Sequence, residues 1–166
     1  VYKEYNENAG GQRAPMRAVQ TQQFLYLFNP WSNGERQFKT ATQGTATYRR
    51  MKQVAPTNAE IAARLDLFDF RVVEELYDVE KDPDCLVNLA ANPEFRPQLQ
   101  EMRQNLETWM ARTGDPAKEA FTNRDSPEVV QAFMAKQEAE SLERRAIRRK
   151  NKAPKNSANP PKKGKS

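Results

Sequence analysis

The stretch NPEFRPQLQEMRQNLETWMARTGDP, residues 92–116, constrains the fold more than any other part of this chain. Asn92 suits an N-cap, because its side-chain oxygen can accept an amide hydrogen left free by the first turn. Pro93 suits the first helical position, where no amide donor is needed. Phe95, Leu99, Met102, Leu106, Trp109 and Met110 recur at three- and four-residue steps, which places them in one apolar stripe. Arg112 lies where a cation meets the negative end of the helix dipole, Gly114 closes the helix, and Asp115-Pro116 prevents its continuation. A stripe of this length has to be buried against another surface.

Two strand-like regions supply that surface. MRAVQTQQFLYLFNP, residues 16–30, has the alternation of a β-hairpin: Arg17, Val19 and Thr21 against Met16, Ala18 and Gln20, then Phe24, Tyr26 and Phe28 against Leu25 and Leu27. With both faces apolar, the second strand is expected inside a sheet covered on each side. Leu76 and Tyr77 begin a short strand through Val79, and Asp82-Pro83-Asp84 forces a turn. Leu86, Val87 and Leu89 then offer apolar side chains before the long helix. The sequence therefore predicts an α+β fold, a small antiparallel β-sheet covered by a long amphipathic C-terminal helix.

The remaining segments fit around this sandwich. Residues 1–14 are polar, contain Gly10-Gly11, and read as a loop. Residues 44–68 read as two helical pieces separated by Pro56, the second opened by Thr57-Asn58-Ala59-Glu60 in a capping-box pattern. After Phe121, residues 122–150 form an extended or solvated helical segment, because Val129, Val130, Phe133, Leu142 and Ile147 are too sparse for a strong core face. Residues 151–166 are rich in Lys, Pro, Asn and Ser and are expected to be a disordered basic tail. The folded unit is then 1–121.

Charge follows the same division. Ten of the 27 Lys and Arg residues fall in the last 23 positions, which hold no Asp or Glu, while the remaining 17 face 22 acidic side chains. The net +5 is a property of the tail. No apolar run approaches the roughly 18–20 residues of a membrane helix, so no membrane span is expected.

The chain has no histidine, and Cys85 is its one cysteine. Histidine's absence removes the commonest general base and metal ligand, together with the Ser-His and Cys-His nucleophile pairs. Cys85, beside Leu86 and Val87, reads as a small buried apolar residue, with a reactive thiol as the alternative. Glu74 and Glu75 are adjacent and would point to opposite faces of a strand, which makes them poor partners for paired acid-base chemistry. The opening loop is different. Lys3, Asn6, Asn8, Arg13 and Arg17 lie close in sequence on a glycine-containing segment, where cations could hold an anionic group or could simply be solvated.

Three segments in order, PMRAVQTQQFLYLFNPW (15–31), EELYDVEKDPDCLVNLA (74–90) and the helix from Asn92, resemble the C-terminal region of the sulfatase family, with the heparan N-sulfatase-like branch the nearest in appearance. The resemblance covers about residues 1–121. Cys85 departs from it, standing in the turn where the family often carries Glu. The resemblance implies a hydrolase of sulfate esters or N-sulfate groups on sulfated glycans, and a periplasmic or extracellular location. Its catalytic region would carry formylglycine, made from the Cys or Ser of C/S-x-P-x-R, and a Ca²⁺ or similar divalent ion. Neither Cys85 nor Ser126 matches that motif, so no cofactor, metal ligand or catalytic residue is expected in this chain, which alone is expected to be inactive. Its expected partners are an N-terminal catalytic domain and a sulfated carbohydrate. Lys3, Asn8 and Arg17 become the candidate substrate contacts.

Two other readings compete. The basic tail could make the chain a polyanion or nucleic-acid binder, although no aromatic residue interleaves with its cations to stack on bases, which disfavours nucleic acid. The helix from Asn92 could instead serve a stand-alone interaction module.

Overall fold

The computed structural model describes residues 1–8 and 10–152. Four strands, β1 (Tyr2–Glu7), β2 (Arg13–Gln20), β3 (Phe24–Phe28) and β4 (Glu74–Asp78), form one sheet in the order β1-β2-β3-β4, each antiparallel to its neighbour. The register aligns Val19, Tyr26 and Leu76 in one cross-strand row and Arg17, Phe28 and Glu74 in the next. Because side chains alternate along a strand, these two rows share one face.

α3 (Arg96–Thr113) lies across that face. Asn92 accepts the Glu94 amide, a 3-10 turn over Pro93–Phe95 leads in, and Gly114 ends the helix at φ 64°. Its inward residues Leu99, Met102, Leu106 and Met110 pack with Val19, Tyr26, Phe28 and Leu76. α4 (Lys118–Thr122) extends the layer, and Phe121 meets Phe28 and Tyr26 edge to face. Each of these buried side chains contributes about 1.5–3 kcal/mol relative to exposure. The sandwich read from the helix stripe is the one that forms.

The N-terminal segment read as a loop is largely strand. β1 pairs with β2 from Tyr2↔Val19 to Glu7↔Arg13, with an irregularity between Tyr5 and Glu7. As an edge strand it needs no apolar run: Tyr2, Lys3 and Glu4 stay exposed, and polar side chains on an edge hinder pairing with other chains. The turn itself is short, closed by Gly11 N to Asn8 O (2.8 Å) and Gln12 N to Asn8 Oδ1 (3.0 Å). The opposite face of β3 is also less covered than its sequence suggests, with Leu25 and Leu27 only half-buried.

Between β3 and β4 the chain makes an excursion carrying α1 (Ala46–Val54) and α2 (Ala59–Phe70). Pro56 sits in the 3-10 turn between them. The cap of α2 differs from the capping box read in the sequence. Asn58, one residue on, accepts the Ile61 amide, and Thr57 donates instead to Val54 O. Asn29 holds the two feet of the excursion together, its backbone amide donating to Val73 O (2.8 Å) and its side chain to Val72 O (2.8 Å).

After β4, Asp82 Oδ2 accepts the amides of Leu86 (2.7 Å) and Val87 (2.8 Å). Asn88 then lies along the outer edge of β4, accepting from Leu76 N and donating to Glu74 O, and Leu89 packs against the core. The expectation that Cys85 lies in the core fails. Leu86 and Val87 are exposed, and Cys85 is half-buried at φ 53° instead of lying in the core. The tight turn built around Asp82 turns Leu86 and Val87 outward and leaves Cys85 at the margin of the core.

α5 (Pro127–Lys152) follows. Val130, Met134, Gln137 and Ser141 form its buried stripe, while Leu142 and Ile147 are exposed. Met134 joins Ala14 and Trp31 in a second small core, where Trp31 stacks on Phe38 with ring centres 5.2 Å apart. Half of the buried stripe is polar, which is why the sequence shows no strong apolar face. The helix includes residues 151 and 152; the rest of the predicted tail lies outside the described residues.

Candidate functional site

The three candidate contacts do not converge. Arg17 is 2% exposed and spends its guanidinium inside the molecule. Nε and Nη2 donate to Asp115 at 2.5 and 3.2 Å, and Nη1 donates to Tyr5 O, Asn6 Oδ1 and Met16 O. Lys3 pairs with Ala18 on the opposite face of the sheet from Arg17, and its Nζ donates to Gln20 Oε1 at an exposed position. Asn8 lies at the far end of β1, where its amide donates to Lys39 O (2.9 Å). Arg13 is shared between Glu7 (3.7 Å) and Glu140 (3.8 Å). The loop group is thus mostly committed to holding the loop.

Two carboxylates on β4 organise the interior. Glu74, on the α3 side, receives a two-pronged contact from Arg103 (2.8 and 2.5 Å), a further contact from Arg124 (3.0 Å), and the Tyr26 hydroxyl. Burial, then the adjacent Glu74 charge, raises the Tyr26 hydroxyl well above its ordinary value. Glu75 points the other way, fully enclosed, and accepts from Arg71 (2.8 and 2.5 Å), Asn29 (2.7 Å) and Tyr77 (2.6 Å). Burial and Glu75 together push the Tyr77 hydroxyl far above its ordinary range. Both carboxylates spend their oxygens on neighbouring donors, as buried charges must to offset desolvation. These clusters brace the strand, and nothing in their geometry offers a free acid or base.

A cavity of about 290 Å³ opens between the segment after β3 and the start of α5, lined by Trp31, Arg36, Arg124, Val130 and Met134 among others. The indole N–H of Trp31 is buried without a partner among the described residues. Sequence reading missed this place, since Trp31 carries no motif and its neighbours come from distant segments. Among the described residues, no three His, Cys, Asp or Glu side chains gather as a metal site would require. No helix among them is long and apolar enough to cross a membrane.

No protein-family model matches the chain. A stretch of 49 residues is 45% identical to an ulvan-active sulfatase from Formosa agariphila, which amounts to 30% of this chain and 8% of that protein. The crystal structure of a protein from Bacteroides thetaiotaomicron assigned as a sulfatase superposes with a TM-score of 0.42 at 21% sequence identity, covering 71% of this chain and 17% of that one. The chain thus spans a small fraction of the length of either protein. Over part of its sequence, this chain is similar to a sulfatase.

Proposed function

We propose that the chain is a C-terminal subdomain of a sulfatase, which packs on a catalytic region and lines one side of its substrate cleft. The 49 residues at 45% identity carry this reading. The ordered strand, turn and capped helix of residues 15–116 support it, as do the outward apolar side chains. Leu86 closes a groove with Ala63 and Leu67, and Val72 and Val87 lie exposed nearby in sequence, as expected of a surface that meets another domain. The substrates in this reading are sulfate esters or N-sulfate groups on glycans, ulvan-type or heparan-type, outside the cytoplasm. Lys3 and Asn8 are the proposed surface contacts, and Arg17, enclosed behind them, holds the strand that carries them.

The family's divalent ion and formylglycine belong, in this reading, to the catalytic region. This chain's donors do not suit them, because Glu74, Glu75 and Asp115 are each engaged by an arginine. Sequencing the coding region upstream of Val1 tests the proposal. An in-frame C/S-x-P-x-R motif, with sulfate release by the longer chain, is the expected result. An upstream domain of another class would end it.

A further inference from the structure

The C-terminal half of α5 packs against the loop after β1. Ser141 Oγ donates to Gly11 O at 2.5 Å, which fixes the loop on the helix. Gly11, at φ 76°, lies under the Arg145 guanidinium, so closely that a Cβ there would stand 2.8 Å from Arg145 Nε. Gly10, Arg145, Arg148, Arg149 and Asn151 line a cleft of about 630 Å³, within the span of roughly 300–1,000 Å³ common to ligand pockets.

Among the described residues, three of the charges at this cleft lack close counterparts. Arg144 reaches Glu7 at 2.8 Å, but among the described residues no carboxylate lies within 4.0 Å of Arg145, Arg148 or Arg149. The three arginines share one helix face at three- and four-residue spacing, where like charges repel. Arg145 Nε is buried and has no hydrogen-bond partner among the described residues. The helix dipole accounts for cations near a C-terminus, but not for a buried donor left unpaired. Guanidinium forks pair well with the oxygens of a tetrahedral anion, and three of them line this cleft.

We propose that this cleft is a binding site for the sulfate groups of an anionic polysaccharide. The choice of sulfated sugar over nucleic acid rests on the sulfatase reading and on the lining itself, which among the described residues contains no aromatic side chain for base stacking.

The test is calorimetric titration of the full chain with a heparin-derived hexasaccharide across a salt series. Arg145→Gln/Arg148→Gln/Arg149→Gln should weaken binding at least about tenfold, the worth of one charge-assisted hydrogen bond. Arg49→Gln/Arg50→Gln/Lys52→Gln, the same charge change on exposed α1 positions, should change it little. Arg145→Lys, which keeps the charge and loses the fork, should fall between them, and the desulfated hexasaccharide should not bind. Equal weakening in both triple variants, or none in the first, overturns the site. Single-stranded DNA bound as tightly as the hexasaccharide overturns the choice of ligand. Binding that behaves as expected beside an upstream region unlike a sulfatase would remove the enzyme assignment while leaving the site.

Discussion

Arg17 on β2 and Asp115 just past α3 meet in an enclosed ion pair, each side chain 2% exposed, with Nε 2.5 Å from Oδ2. Asp115 Oδ1 also accepts the Ala117 amide (2.8 Å), so the pair fixes the turn between α3 and α4 onto the sheet. Removing one member of a buried pair strands the other charge, at a cost of about 3–5 kcal/mol. Asp115→Asn, which keeps the oxygen for Ala117, should lower stability by that amount in urea denaturation. Arg144→Gln, in a pair half open to water, should cost less than about 1 kcal/mol. Similar losses for the two would mean the Arg17 pair is not desolvated as described.

Two glycines separate strain from contact. Gly114 (φ 64°) has open space where a Cβ would stand, so Gly114→Ala should cost only the left-handed backbone penalty of about 1–2 kcal/mol. Gly11→Ala carries the same strain and must also displace the flexible end of Arg145, so it should cost slightly more. In an Arg145→Ala background the two alanine substitutions should converge, as thermal melts of the four variants would show. A persistent gap would place the obstruction elsewhere.

The pH dependence can be read at Asp78. Its burial works to raise the carboxyl pKa, but the Gln23 amide, the backbone of Lys81 and the Lys81 charge outweigh this and hold it below its ordinary value. The folded chain therefore takes up this proton less readily than the unfolded chain. The stabilisation is complete above the ordinary aspartate pKa and fades as pH falls through the lowered one. Asp78→Asn should flatten the acid limb of a urea-midpoint profile; an unaltered slope would remove Asp78 from the account.

What the sequence reveals depends on how local the governing contacts are. The helix from Asn92 to Gly114 announces itself because its cap, stripe and stop lie within 23 residues and each has a local physical cause. β1 is hidden because an edge strand facing water carries no apolar alternation. The docking of α5 is hidden because Gln137 and Ser141 share its buried stripe with Val130 and Met134. Cys85 reads as core from its neighbours, yet Asp82 captures the amides of Leu86 and Val87 and bends the chain outward. The candidate site is least legible of all. The arginine cleft joins residues about 135 positions apart, and the partner of Arg17 lies 98 residues away.

The clamp at Asn29 has a further consequence. The span from Pro30 to Val72 leaves and returns at this clamp, so α1 and α2 sit outside the ladder that sets the register of β3 against β4. Changing that span's length costs little chain entropy, about 0.6 kcal/mol per doubling of a flexible loop. The fold thus has a socket whose helices are expected to tolerate lengthening or exchange while Trp31, Phe38 and Arg71 keep their contacts with the sandwich.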